Sequence, residues 1–226
     1  MKKSEFNAYK TNFRAVIRKV LAESELGRMD EAGFPAYSHP NPLINWLFWQ
    51  RLRVVMNYIE QDAPYEHVLD FGCGSGVMLP FLCEISTRVT AMDIDLLPFE
   101  RVSSQQAFPA NLTVHDAREV TLKDLPQTSF DLIVATDVLE HVDDLPGTLA
   151  DMQALLRPGG QIVISGPTEN IFYKIGRALA GPEYSGDYHE RGILEVRKIL
   201  AEKMGVIHIA TLYWPVPLFD IFAARI

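Results

Sequence analysis

Apolar residues in the first sixty positions recur every three or four places. Phe6, Tyr9, Phe13, Val16, Ile17 and Val20 fall on one helical face, with Lys10, Arg14, Arg18 and Lys19 away from it. Gly27 supplies a stop, and residues 33–42, with three prolines and a glycine, read as a loop. A second helix follows Pro42, carrying Leu43, Trp46, Leu47, Trp49, Leu52, Val55, Met56 and Ile59, and Asp62-Ala63-Pro64 ends it. From His67 the period changes to short apolar runs at 67–71, 89–92, 112–115, 130–135 and 161–165. Three of them (Val-Leu-Asp-Phe, Leu-Ile-Val-Ala, Ile-Val-Ile-Ser) are apolar almost throughout, as strands buried on both faces are. Helical patterns at 75–84, 96–106 and 144–156 alternate with them, the last stopped by Arg157-Pro158-Gly159-Gly160. That alternation predicts an α/β fold with a parallel sheet.

Beyond the fifth run the pattern changes again. Residues 166–189 are rich in Gly, Tyr and Pro and read as a loop or lid, followed by a helix over 191–204 with Gly205 at its end. Two β-like runs, 207–213 and 218–223, are joined only by Trp214-Pro215-Val216-Pro217. So short a link predicts an antiparallel hairpin, because a parallel crossover needs a dozen or more residues. The division expected is an N-terminal helical cap over 1–62 and a main domain over 63–226.

Composition narrows the classes. The chain has 226 residues, 48% hydrophobic and 22% charged, which is ordinary globular usage and excludes disordered or collagen-like chains. Twenty-one Lys and Arg against 29 Asp and Glu give a net charge of −8, a surface that repels a phosphate backbone, so no nucleic-acid partner is expected. No run approaches the length of an apolar membrane span, and no signal-peptide pattern opens the chain. With only Cys73 and Cys83, the expectation is a soluble cytoplasmic protein without disulfides.

The most specific chemistry lies in Val68-Leu69-Asp70-Phe71-Gly72-Cys73-Gly74-Ser75-Gly76, where a buried strand runs into three glycines and a helix opens. Glycines there permit a tight turn and bring bare peptide against a ligand, while a helix N-terminus adds donors. Spacing discriminates among ligands. Val77 and Leu79 stand where a dinucleotide fingerprint needs its third glycine, and no G-K-[ST] follows, so NAD and ATP are disfavoured. The second strand ends in Asp93-Ile94-Asp95, with Asp93 about 20 residues after Gly72, where an acid can take ribose hydroxyls; Asp95 better suits a helix N-cap. The third ends in His115-Asp116-Ala117, so that Asp116 could accept from an adenine amino group and the Ala117 amide could face a ring nitrogen.

With these residues in place the chain resembles the class I S-adenosylmethionine-dependent methyltransferases, in particular the small-molecule group that includes ubiquinone-pathway enzymes. The likeness runs from about Tyr65 to the C-terminus. It includes Asp137-Val138-Leu139-Glu140-His141-Val142 and the segment from Leu156 to Ile164. It implies a Rossmann-like seven-stranded sheet of order 3-2-1-4-5-7-6, strand 7 antiparallel, with helices on both faces. It further implies S-adenosyl-L-methionine as cofactor and S-adenosyl-L-homocysteine as product. Asp70, Gly72, Cys73, Gly74 and Gly76 would line the methionine part, Asp93 and Ile94 the ribose side, Asp116 and Ala117 the adenine. Thr136 and Asp137 would border the methionine moiety through a backbone carbonyl.

Methyl transfer from a sulfonium requires chiefly alignment in a dry site, and a base only for a nucleophile that cannot shed its proton. Candidates for that base are His141, after the fourth strand, and His189 in the lid, each with a capping or packing alternative. Tyr173, Tyr188 and Trp46 are candidates for the acceptor side, and Tyr184 shares the lid. Asp137, Glu169 and Asn170 resemble the Mg²⁺ set of catechol-type methyltransferases, but Pro167 and Thr168 displace the last two, and no metal is expected. The aromatic residues of the first two helices pack on the domain or each other, enclose an apolar pocket, or rest on a membrane surface, with Lys10, Arg14, Arg18, Lys19 and Arg28 toward lipid headgroups. The function expected is methyl transfer to a small molecule, lipophilic acceptors included, by in-line displacement. A non-catalytic module keeping the cofactor fold and a protein methyltransferase are the alternatives. The Asp-Pro-Pro-Tyr type of signature for nucleic-acid amines is absent.

Overall fold

The computed structural model describes residues 2–23, 37–39, 41–168 and 192–226. Seven strands form one sheet: β1 (Tyr65–Phe71), β2 (Ser86–Asp93), β3 (Leu112–Asp116), β4 (Phe130–Thr136), β5 (Leu156–Pro167), β6 (Gly205–Leu212) and β7 (Phe219–Arg225). Their order is β3-β2-β1-β4-β5-β7-β6, and β7 runs antiparallel to both neighbours while the remaining pairs are parallel. The expected topology and the C-terminal hairpin are both present.

Strand parity divides the core into two layers. Val68, Val89, Leu132, Val134, Val163, Ile221 and Ala223 face one cluster. Their sequence neighbours Leu69, Met92, Ile133, Ala135, Ile162, Ile164 and Phe222 face the other. Both faces being apolar explains the near-continuous hydrophobic runs. On the second face pack α5 (Leu145–Leu155) and α6 (Ile193–Ala201). Helix α5 starts where Asp144 accepts from the Gly147 amide, as an N-cap does.

The first face is covered by α1 (Lys3–Glu23), α2 (Pro42–Ile59), α3 (Leu79–Glu84) and α4 (Leu97–Ser103). Phe6 and Phe13 meet Trp49 edge-on, with ring centroids 6.0 and 6.4 Å apart. Trp49, Leu52, Val55, Met56 and Ile59 of α2 are all essentially inaccessible. At about 1.5–3 kcal/mol per buried side chain, their gross contribution is on the order of 10 kcal/mol. Helices α1 and α2 are therefore an integral layer of the core. The membrane-facing expectation for Phe6, Phe13 and Trp49 is corrected by the same burial: these rings form the core, and Trp46 is the one α2 aromatic left half-exposed. Beside the junction, Arg225 holds Asp62 at 2.5 Å, and Tyr58 donates to Gln161 at 3.3 Å.

The helices expected over 96–106 and 191–204 are shorter, and two further boundaries move for a local reason. The helix expected over 75–84 begins only at Leu79, because Ser75–Met78 are spent in turns with Gly76 at φ +77°. The stop at 157–160 belongs to β5, which starts at Leu156 and shifts register on β4 between Phe130 and Leu132.

Candidate cofactor and acceptor site

The carboxyl ends of β1, β2 and β4 converge on the glycine turn. Gly72, Gly74 and Gly76 have φ of +77°, +51° and +77°, the left-handed region that glycine enters without strain. Gly72 has a second constraint, since a Cβ there would lie 2.6 Å from Val138 Cβ and closer still to its Cγ2. Its bareness thus also admits the segment after β4.

The turn's amides are largely spent inside the chain. Gly72 and Cys73 both donate to Met92 O (2.9 and 3.2 Å), Gly76 donates to Cys73 O at 2.8 Å, and Gly74 donates to Asp93 Oδ2 at 2.7 Å. Phosphate-binding loops do the opposite, presenting free N–H groups to the ligand. The short α3 begins with Leu79-Pro80: Leu79 N donates to Gly76 O at 3.1 Å and Pro80 has no N–H. The expected donor-rich helix start is therefore corrected to a turn that offers shape and carbonyls.

Carboxylates supply the charge. Asp70 is buried on the α1/α2 face of β1, where burial, and then the neighbouring Asp93 charge, push its carboxyl up to about 7. Asp93 also accepts from the Asp95 amide at 3.0 Å, so each of its oxygens keeps a free lone pair. Ile94, beside it, is 69% exposed, and Asp95 accepts from Leu97 N at the head of α4. Ser75 Oγ is buried without a partner. Burial raises the Cys73 thiol well above its usual range and Cys83 to about 11, so both are inert thiols packed in the core.

Asp116 pairs with Asp93 across β2 and β3, as expected, but its carboxylate is occupied. Arg118 Nε and Nη2 donate to it at 2.9 and 2.6 Å, and those hydrogen bonds pull its pKa down to about 2. Ala117 N donates to Asp93 O at 2.8 Å. Both groups expected to read adenine are thus engaged within the chain, Asp116 by the exposed Arg118 side chain and Ala117 N by a backbone carbonyl.

After β4, Thr136 is half-buried and Asp137 takes φ +54°, its amide donating to Ser165 O at 2.9 Å. The Asp137 carboxylate is held by Arg51, a residue of α2 that sequence reasoning missed. Arg51 is 2% exposed and also donates to the Tyr37 hydroxyl at 3.1 Å. Its signal was a charge within the apolar stripe Phe48, Leu52, Val55 and Ile59. Tyr9 was missed in the same way: its hydroxyl donates to Val77 O, and burial raises its pKa above the usual phenol range. Both cap helices thus touch the site.

His141 is exposed on the single turn Leu139–His141. Trp46 stacks obliquely on Tyr213, centroids 5.4 Å apart. His189, Tyr173, Tyr184, Tyr188, Glu169, Asn170 and Arg28 lie outside the described residues. Among those described, no group of three or more His, Cys, Asp or Glu is arranged to hold a metal, and no helix is long and apolar enough to cross a membrane.

A doubly wound sheet with one reversed strand, carrying carboxylates at successive strand ends around a glycine turn, defines a nucleoside-binding α/β protein of the kind that binds at its strand ends. Residues 45–220 match the family described as a methyltransferase domain, and the chain belongs to that family. Curated relatives include the ubiquinone biosynthesis O-methyltransferase of Methylocella silvestris, 31% identical over 138 residues, covering 60% of this chain and 53% of that protein. The same-named protein of a Bradyrhizobium species is 29% identical over 161 residues, covering 62% and 61%. This chain therefore spans about half to three-fifths of the length of these relatives. The fold is shared with the N-methyltransferase NodS of Bradyrhizobium japonicum solved with S-adenosyl-L-homocysteine, at TM-score 0.58, 18% identity and coverage of 95% and 98%. It is also shared with magnesium protoporphyrin IX methyltransferase of Synechocystis PCC 6803, at TM-score 0.57, 16% identity and coverage of 96% and 99%.

Proposed function

We propose that the chain is an S-adenosyl-L-methionine-dependent methyltransferase acting on a small molecule, with S-adenosyl-L-homocysteine as product. The supporting observation is the chemistry of the turn: its amides are spent internally while two acids crowd it without a cation. A phosphate meets a turn in which the Gly72, Cys73, Gly74 and Gly76 amides already donate within the chain. Burial, and after it the Asp93 charge, raises the Asp70 carboxyl to about 7; a cation beside the two acids favours their ionised forms, and the cofactor carries two positive centres, a sulfonium and an α-ammonium. The spare lone pairs of Asp93 suit ribose hydroxyls, exposed Ile94 gives a planar base an apolar neighbour, and the orphaned Ser75 hydroxyl awaits a polar partner. The cofactor supplies an activated methyl; the chain has only to orient it and exclude water. The relatives' names support an oxygen nucleophile. A retired, non-catalytic fold has no need to keep two carboxylates crowded.

Leu43, Trp46 and Trp214 are 61, 48 and 80% exposed, with Trp46 against Tyr213. That apolar rim favours acceptors drawn from a lipid surface by a cytoplasmic enzyme. Co-sedimentation with anionic liposomes, lost in a Trp46→Ser/Trp214→Ser pair, checks this; equal binding by both proteins rejects it. For the cofactor, titration calorimetry should give micromolar affinity for S-adenosyl-L-homocysteine and no heat with ATP or NAD. The reverse pattern would refute the assignment.

A further inference from the structure

A cavity of about 250 Å³ opens at the amino edge of the sheet, between the end of α2, the start of β1 and the bend at residues 157–160 in β5. The seven residues of β1 put roughly 20 Å between it and the cofactor turn. Asp62, Asp131, Arg157 and Arg225 all line it, so two carboxylates and two guanidiniums border one space and balance in charge. Apart from two prolines and Tyr65, the other walls are polar or glycine. At about 30 Å³ per water, it has room for roughly eight non-hydrogen atoms.

The charged groups are fixed in place but not used up. Asp62 Oδ2 accepts from Arg225 Nη2 at 2.5 Å and from Gln161 Nε2 at 3.2 Å, while Arg225 Nε donates to Gln161 Oε1 at 3.1 Å. Gln161 is buried, so this frame is anchored in the core. Among the described residues Asp62 Oδ1 has no hydrogen-bond partner. Arg157 meets Asp131 through Nη2, and Asp131 is held from behind by the Glu66 and His67 amides. No described residue takes a hydrogen bond from Arg157 Nε or Nη1. Charged donors and a charged acceptor are thus left unfilled on residues that line the same cavity.

We propose that this cavity is a second ligand site, and that it takes a small zwitterion of the free α-amino acid type, carboxylate toward Arg157 and ammonium toward Asp62. Each end then makes a charge-assisted hydrogen bond with a group that has one to spare. A plain anion would meet two carboxylates on the same walls, and a plain cation two guanidiniums; a net-neutral dipolar molecule leaves the balance of charge intact. The polar walls give a lipophilic methyl acceptor nothing to pack on. The site lies at the opposite edge of the sheet from the cofactor turn, and the inference stands independently of the methyltransferase reading.

The test follows backbone amide NMR shifts of the whole chain titrated with L-alanine, propanoate and ethylammonium, which share a carbon skeleton and differ only in the charged groups they carry. Alanine should shift the amides of Tyr65, Gly159 and Gln161 saturably and leave those of Gly72, Gly74 and Gly76 in place. It should bind at least about tenfold tighter than either fragment, the scale of one hydrogen bond between charged groups. Asp62→Asn should bring alanine down to the level of propanoate, and Arg157→Gln down to that of ethylammonium. Sites this far apart act independently, so both variants should keep S-adenosyl-L-homocysteine affinity within about twofold of the parent. Shifts centred on the glycine turn, equal binding of alanine and propanoate by the parent, no saturable shift, or an unchanged alanine-to-propanoate ratio in Asp62→Asn overturns the proposal. Should Arg157→Gln fail to fold once Asp131 loses its cation, the parent's ratios and Asp62→Asn still decide.

Discussion

Gly72→Ala isolates the close approach of the cofactor turn to the segment after β4. Two costs are separable. The residue sits at φ +77°, where a Cβ costs about 1–2 kcal/mol. That Cβ would also lie 2.6 Å from Val138 Cβ, an overpacking that costs typically about 1–3 kcal/mol. The sum, about 2–5 kcal/mol, lowers the melting temperature of a chain of this size by roughly 5–15 °C. Val138→Ala alone should cost no more than about 1 kcal/mol, since Val138 is only partly buried. In the Gly72→Ala/Val138→Ala double variant the overlap with the valine methyls is removed while the Cβ at 2.6 Å stays, so part of the steric share should return, giving a coupling energy of about 0.5–1 kcal/mol in urea unfolding. S-adenosyl-L-homocysteine affinity should follow the same order, lowest in the single Gly72 variant. A Gly72→Ala protein that melts within 1 °C of the parent, or a double variant that is simply additive, would refute the reasoning.

Asp70 provides a pH signature. Its folded pKa is raised from 3.8 to about 7, so the folded chain holds a proton that the unfolded chain releases, and stability declines as pH rises through that window. The full shift corresponds to on the order of 4 kcal/mol. Asp70→Asn should flatten the decline and be the more stable protein at pH 8, as read by melts from pH 5 to 8; parallel profiles contradict the assignment. Arg118→Ala should let the Asp116 carboxyl rise from about 2 toward its ordinary range, followed by NMR titration, and an unmoved value would show that another group holds it down. Asp131 accepts from the Glu66 and His67 amides at 2.7 and 2.8 Å and pairs with Arg157. Asp131→Ala therefore strands one buried and one part-buried amide and should cost about 2–4 kcal/mol in urea melts; a loss under 1 kcal/mol denies it that role.

Most of the architecture was legible because both faces of the sheet are buried. Runs such as Leu-Ile-Val-Ala can sit only in a covered parallel sheet, and Trp214-Pro215-Val216-Pro217 is too short for a crossover. Asp93 was legible because strand-end position follows from spacing alone. What sequence could not show depended on side chains meeting across the fold. That Val138 fills the space beside Gly72, that Arg118 occupies Asp116, and that the turn's amides point inward are all contacts between separate segments or rotamer choices. Arg51 carried a readable sign, a cation in an apolar stripe, but its partner Asp137 lies 86 positions further along and belongs to another element. The aromatic first helices were ambiguous for a similar reason: one amphipathic pattern serves a lipid surface or a sheet, and only tertiary packing separates them.

The most direct test of the central claim compares S-adenosyl-L-homocysteine binding to the parent protein and to Asp93→Ala by titration calorimetry. Two hydrogen bonds to a charged acceptor are at stake, each worth about 1.5–3 kcal/mol, so affinity should fall at least a hundredfold while Asp95→Ala stays within a few fold. Undiminished binding by Asp93→Ala would contradict the account.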